Sequence, residues 1–212
     1  KTHGVDVWAQ RLAAHRPEEE RSYWISRLSS PVPPLPVDGP VLPAEDCYGA
    51  SEQVHIELSA ALTHALLNDC HHAYCTRIND LLMSSLFLAV FKWTGQHALR
   101  ISLEGHGREA LFEGIDVSQT VGWFTSLFPL TLQMSSSWSA DRADSLQALI
   151  RSVKEELRTM PNNGIGYGLL RHLARDEALR TLDEPTDLLF NYLGQFDSVF
   201  HGAPSFPSAS EH

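Results

Sequence analysis

Leu99-Arg100-Ile101-Ser102-Leu103-Glu104-Gly105-His106-Gly107-Arg108-Glu109 alternates apolar and polar residues over its first six positions, then breaks into charged groups spaced by glycine. Leu99, Ile101 and Leu103 share one face of such a segment, and Arg100, Ser102 and Glu104 the other. That is the two-residue period of a half-buried strand. The reading predicts that Glu104 leaves the sheet at its end, on the less apolar face. Gly105 and Gly107 lack a Cβ, so the backbone can turn sharply there and another chain or a ligand can come close. A carboxylate, an imidazole and a guanidinium placed between glycines directly after a strand have the makings of a site. The plain alternative is a solvated loop with a local Glu/Arg pair.

The flanking sequence supplies the rest of a layered domain. Val5, Trp8 and Leu12, then Tyr23, Trp24 and Leu28, have helical spacing, with Pro17 and three glutamates suited to the start of the second helix. Residues 29–50 carry six prolines and little periodicity and read as an extended linker. Val54, Ile56 and Leu58 alternate as a strand; Ser59 can cap a helix over 60–70, and Asn79 a second, apolar helix ending near Trp93. A strand is predicted over 127–134. An amphipathic helix follows, with Leu146, Leu149, Ile150, Val153 and Leu157 on one stripe, stopped before Pro161. A last strand runs from Leu188 to Tyr192 and ends in Gly194. Strands and helices thus alternate, which predicts an α/β lobe with helices packed on a mixed sheet.

Composition sets outer bounds. A chain of 212 residues, 43% hydrophobic and 20% charged, can bury about 70% of its unfolded surface in one lobe. No apolar run is long enough to span a bilayer and no signal-peptide pattern opens the chain. Three cysteines, Cys47, Cys70 and Cys75, are odd in number and unpatterned, as in a reduced cytoplasmic protein. A net charge of -10 without a lysine and arginine cluster argues against nucleic-acid or anionic-membrane binding.

Several constellations fail on spacing. Cys70, His71, His72 and Cys75, with His64 upstream, match no zinc pattern, and residues 70–72 of a helix point in different directions; His71 and His72 read as surface residues and no metal is expected. Gly164, Gly166 and Gly168 follow a helix rather than a strand, so they lack the context of a dinucleotide fingerprint and read as a tight loop. Neither Ser126 nor Cys47 sits in a nucleophile motif.

Longer strings narrow the choice. Thr120-Val121-Gly122-Trp123-Phe124-Thr125-Ser126-Leu127-Phe128-Pro129-Leu130 and Leu189-Phe190-Asn191-Tyr192-Leu193-Gly194-Gln195-Phe196-Asp197, together with residues 104–109, closely resemble the epimerization domains of nonribosomal peptide synthetases, within the condensation-domain superfamily. Val153-Lys154-Glu155-Glu156-Leu157-Arg158, Pro161-Asn162-Asn163-Gly164-Ile165-Gly166-Tyr167-Gly168 and Arg77-Ile78-Asn79-Asp80-Leu81-Leu82 agree in order and spacing. The resemblance implies the chloramphenicol-acetyltransferase-like fold. It also implies a division into a helical crossover segment from a preceding lobe (1–28), a Pro-rich linker (29–50) and a C-terminal lobe truncated at its end (51–212). The family's two-histidine, Asp-Gly motif belongs to the other lobe; His71 and His72 are followed by Ala73-Tyr74-Cys75-Thr76-Arg77 and do not match it.

The implied activity is an isomerase reaction: L-to-D inversion at Cα of an aminoacyl or peptidyl thioester held on a carrier protein. A proton leaves one face and another returns to the opposite face through an enolate-like intermediate, so two acid/base groups must oppose each other. A glutamate suits one role if partial burial raises its pKa. The resemblance carries that role onto Glu104, places Arg108 beside it to tune the carboxylate, and gives the Tyr192 hydroxyl to the substrate or the enolate oxygen. His106, Asn191, Trp123 and Ser126 are the implied substrate-binding residues, with Trp123 either lining a substrate tunnel or packed in the core. No cofactor is bound directly; the phosphopantetheine arm of a peptidyl carrier protein presents the substrate, and the opposing histidine comes from an N-terminal lobe. The chain alone is expected to be inactive. Two alternatives remain: a lobe of an amide-forming condensation domain, which needs no acid/base group at Glu104, and a noncatalytic lobe that docks carrier protein.

Overall fold

The computed structural model describes residues 2–39, 48–70, 74–142, 144–182 and 186–194. Its centre is the strand opened by Leu99: β1, Ala98–Gly105, lies between β2, Ser126–Gln133, and β3, Leu189–Phe190. The β1/β2 ladder is antiparallel and the β1/β3 ladder parallel, so the sheet is mixed. Leu99, Ile101 and Leu103 stand opposite Leu132, Leu130 and Phe128, and all six are buried. These directly opposed apolar pairs fix the register, because a one-residue slip would carry them to the other face. Glu104 is still in the ladder, opposite Leu127, and Gly105 opposite Ser126. The strand therefore ends one residue later than the alternation implied. β3 is shorter than read from the sequence: it holds two residues, paired at Ser102–Leu189 and Leu103–Phe190.

The helices are α1 (Val5–Ala14), α2 (Arg21–Leu28), α3 (Ala60–His64, prolonged by a π turn over Ala65–Asp69), α4 (Ile78–Thr94), α5 (Ser145–Thr159), α6 (Ile165–Gly168, prolonged over Leu169–Leu173) and α7 (Glu177–Leu182). Trp24 of α2 is wholly buried in the main core, against Phe128 and Tyr167, with Met83, Phe87, Leu149, Val153, Leu170 and Leu179 around it. Burial of each large side chain stabilises by about 1.5–3 kcal/mol.

On the polar side of β1, Arg100 binds the end of α2 to the sheet. Its guanidinium donates to Thr131 Oγ1 at 3.1 Å and to the carbonyls of Leu28 and Ser30 at 3.0 and 2.7 Å. A cation is favoured there because the last carbonyls of a helix have no partner within it.

Caps show where local sequence suffices and where it does not. Ser59 Oγ accepts from Leu62 N, as its position before α3 predicts. For α4 the predicted cap, Asn79, lies inside the first turn; the Asp80 carboxylate accepts from Arg77 N at 2.8 Å instead. The strand expected at Val54, Ile56 and Leu58 is not formed. The segment has no ladder, and Val54 and Ile56 are 87% and 85% exposed.

The tight loop expected at Gly164, Gly166 and Gly168 is instead a short 3₁₀ turn, Pro161–Gly164, running into α6. Gly166 is required there because a Cβ would fall on the carboxylate of Glu20. Glu20 is 3% exposed; its oxygens accept from Trp24 Nε1 at 3.1 Å and from Asn162 Nδ2 at 2.7 Å.

A smaller cluster, Trp8, Val117 and Ile165, holds the β1–β2 connection against α1, with Trp8 and Phe112 edge to face at 5.4 Å. Cys47, His71, His72 and Gln195–Asp197 lie outside the described residues.

Candidate functional site

β1 ends beside a cavity of about 360 Å³. The start of α4 lines it with Arg77, Asn79 and Asp80, the end of α5 with Leu157, Arg158 and Met160, the β1 end with residues 103–106 and Glu109, and the far wall with Phe128, Asn163 and Tyr192. The parallel β1/β3 pairing brings Tyr192 here: both strands run toward the same edge, Leu103 pairs with Phe190, and Tyr192 lies two residues beyond Phe190 as Gly105 lies two beyond Leu103. Two residues distant in sequence are thus put at one mouth by the sheet.

Glu104 is half-buried, and among the described residues no donor reaches its carboxylate. Its neighbours are differently placed. Arg108 N donates to His106 Nδ1 at 3.0 Å, so that nitrogen is the acceptor and Nε2 carries the proton in the neutral ring. Nε2 lies 3.4 Å from Glu109, whose other oxygen accepts from Asn163 Nδ2 at 2.6 Å. The mouth therefore carries one unspent carboxylate, Glu104, and one that is held, Glu109.

Glu109, Asn163 and Asn79 stand inside recognisable strings, yet the sequence alone gives the first two no role and Asn79 only that of a helix cap. The signal for Glu109 is its spacing three residues after His106; for Asn163 and Asn79 only the fold brings them to the cavity.

The Arg108 side chain turns to the connection instead. It donates to the carbonyls of Val117, Thr120 and Gly122 and lies 3.9 Å above the Phe124 ring. Gly107 makes the close return possible: its φ is +66°, and a Cβ would strike the Phe124 carbonyl.

Ser126 sits opposite Gly105, its Oγ buried without a partner among the described residues. Trp123 is 88% exposed, which removes the core option, and neither it nor Asn191 lines the cavity.

A larger cavity, about 670 Å³, lies at the other end of β1, between Arg27, His97, Thr131, Ser135 and Glu156. Desolvation raises the Glu156 carboxyl above its ordinary range despite Arg27 at 2.9 Å. Burial, then the Glu156 charge, raises the Tyr23 hydroxyl. None of the residues 104–109 lines this second cavity. Among the described residues no three His, Cys, Asp or Glu side chains cluster as metal ligands, and no helix is long and apolar enough to cross a membrane.

Residues 4–206 match the condensation domain family. This chain belongs to the condensation domain family. The matching relatives place this condensation-family chain among domains of nonribosomal peptide synthetases. It is 40% identical over its whole length to chondramide synthase cmdD of Chondromyces crocatus, of which it spans 5%. To bacitracin synthase 2 of Bacillus licheniformis it is 39% identical over 93% of the chain, spanning 7% of that protein. Among solved structures, the epimerization domain from the third module of tyrocidine synthetase B superposes with a TM-score of 0.77 at 35% identity, covering 93% of this chain and 45% of that one. The first condensation domain of the calcium-dependent antibiotic synthetase shares the fold, with a TM-score of 0.53 at 17% identity over 87% of this chain and 38% of that one.

Proposed function

We propose that this condensation-family lobe carries one of the two acid/base groups of an epimerization domain, inverting Cα of an aminoacyl or peptidyl thioester. The observation that carries the reading is Glu104: a half-buried carboxylate without a donor among the described residues, at the mouth of a cavity that Tyr192 also lines. Its oxygens open on the cavity and are not sealed in the core. A carboxylate so placed is available to take a proton from a substrate. The likeness to the tyrocidine synthetase B epimerization domain supports the same reading.

The thioester carbonyl acidifies Cα–H. Glu104 accepts or returns that proton on one face, and a histidine of the other lobe serves the opposite face. Tyr192 offers its hydroxyl to the oxygen that becomes negative in the enolate, where a donor stabilises most. His106 and the held Glu109 shape the wall beside Glu104. Arg108 acts at one remove, by fixing the connection that carries them. Substrate contacts by Asn191, Trp123 or Ser126 would lie outside this cavity. Proton transfer between paired side chains calls for no resident cofactor; the phosphopantetheine arm of a carrier protein delivers the substrate.

The test uses the complete two-lobe domain with a carrier-bound substrate. Glu104→Gln keeps the shape but cannot accept the Cα proton, so inversion should fall by roughly two to four orders of magnitude. Exchange of Cα–H with deuterated solvent should survive from one enantiomer, through the opposing base. Near-normal inversion by Glu104→Gln would make residues 104–109 a structural turn and end this reading. Peptide-bond formation without loss of chirality would assign the lobe to condensation.

A further inference from the structure

Control at a stereocentre needs three points of attachment, and a Cα in an aminoacyl or peptidyl thioester offers three: its hydrogen, the carbonyl oxygen and the α-nitrogen. Glu104 and Tyr192 answer the first two. The third is a donor, N–H, and needs an acceptor on the cavity wall.

The acceptors there can be sorted by what they already hold. Glu109 is engaged by Asn163 and faces His106. Asp80, 3% exposed, accepts from Arg77 N at the start of α4. Asn79, on the same wall, has a buried Oδ1 with no hydrogen-bond partner among the described residues. A buried acceptor left unpaired lowers stability, so one retained beside the proposed reacting carboxylate calls for an explanation.

We propose that Asn79 accepts the N–H of the substrate's α-nitrogen and thereby fixes which way Cα faces Glu104. The inference rests on the epimerization reading above. Oδ1 is covered in this structure, but it holds no bond there. Rotation about the broad Cβ–Cγ torsion toward a substrate therefore breaks nothing at that atom. The position suits the task because Asn79 is on the first turn of a 17-residue helix, whose backbone does not shift as a loop would. Its neighbour Asp80 makes the cap, which leaves the Asn79 carboxamide unneeded for starting the helix.

The experiment compares two carrier-bound substrates on the complete domain: the natural amide and an analogue with the α-nitrogen replaced by an ester oxygen, which has no N–H. The wild-type domain should use the analogue roughly tenfold to a hundredfold less well in kcat/KM, because the hydrogen bond that Oδ1 gains from the amide N–H is not made. Asn79→Ala should slow the amide by a similar factor and lose most of the discrimination. Asn79→Asp, which keeps an acceptor, should retain it. Any difference in Cα acidity between the substrates is common to all variants and cancels in the ratio. If Asn79→Ala does not fold by thermal melt, Asn79→Leu replaces it at nearly constant volume. Undiminished discrimination in a folded variant without the acceptor overturns the Asn79 assignment and leaves the epimerization reading intact. Failure of the wild-type domain to invert the natural substrate overturns that reading itself, and this one with it.

Discussion

Glu20 and Glu104 are carboxylates on the elements that frame the core, and they are treated in opposite ways. Glu20 is 3% exposed, each oxygen has a donor, and Gly166 leaves room for it. Glu104 opens on a cavity and has no donor among the described residues. The first joins α2 to the turn before α6; the second is kept available. Hydrogen-bond completion and burial together separate the structural acid from the one proposed to react.

The strongest way to break the contrast is to exchange the consequences. Glu104→Gln should cost inversion roughly two to four orders of magnitude with an unchanged melting temperature. Glu20→Ala should leave Trp24 Nε1 and Asn162 Nδ2 unpaired, at about 1–3 kcal/mol for each stranded donor, with turnover lost only as the fold is lost. Parallel melts and rates on the complete domain decide it, and a large melting shift in Glu104→Gln would merge the two roles.

Arg108→Ala comes next. Three carbonyls lose a charged donor, so about 1.5–3 kcal/mol of stability should go. Turnover should fall about tenfold to a hundredfold as His106 and Glu109 lose their support. Arg108→Lys should not rescue it, since one ammonium cannot fork to three carbonyls.

A smaller effect is expected at a third carboxylate, Glu156, where desolvation outweighs Arg27 and the folded state favours the protonated form. Its contribution is therefore most favourable at low pH and is lost as pH rises through the raised folded pKa. Melts of Glu156→Gln should gain on the wild type as pH increases over that range; a constant difference would mean that Arg27 offsets the burial in full. The smallest change should be at Trp123, 88% exposed. Trp123→Ala should shift stability within about 0.5 kcal/mol, and any loss of turnover then reports contact with substrate or another lobe.

Much of the fold was legible where one face of an element decides its place. The alternation at Leu99–Leu103 names a core that is there, as do Leu149, Ile150 and Val153 of the α5 stripe, whereas Leu146 at the start of that stripe is 53% exposed because the first turn of α5 projects beyond the core. Val54-His55-Ile56-Glu57-Leu58 has the same alternation but no ladder, because a period of two describes a strand's faces and cannot supply its neighbour. The site was half legible. Glu104 and Tyr192 stood in recognisable strings. The engagement of Glu109 by Asn163 and the turn of Arg108 toward three carbonyls depend on contacts across 9 to 54 positions that no local pattern encodes, and the unpaired oxygen of Asn79 on the packing around it. Glu20 shows the same limit from the other side. Among three consecutive glutamates, only its position against Trp24 and Gly166 distinguishes it.

The two-residue β3 has a consequence for the order in which the chain assembles. β1 and β2 close across residues 106–125, whereas the Ser102–Thr186 hydroxyl contact beside β3 joins positions 84 apart. The longer closure costs more chain entropy and is rewarded by only two paired residues. Glu104 is thus set in place with the first hairpin, while Tyr192 arrives with the last strand to dock. In hydrogen exchange the amides around Leu189 and Phe190 should open long before those of Ile101 and Leu130, so the proposed enolate donor is held by the most readily released edge of the sheet.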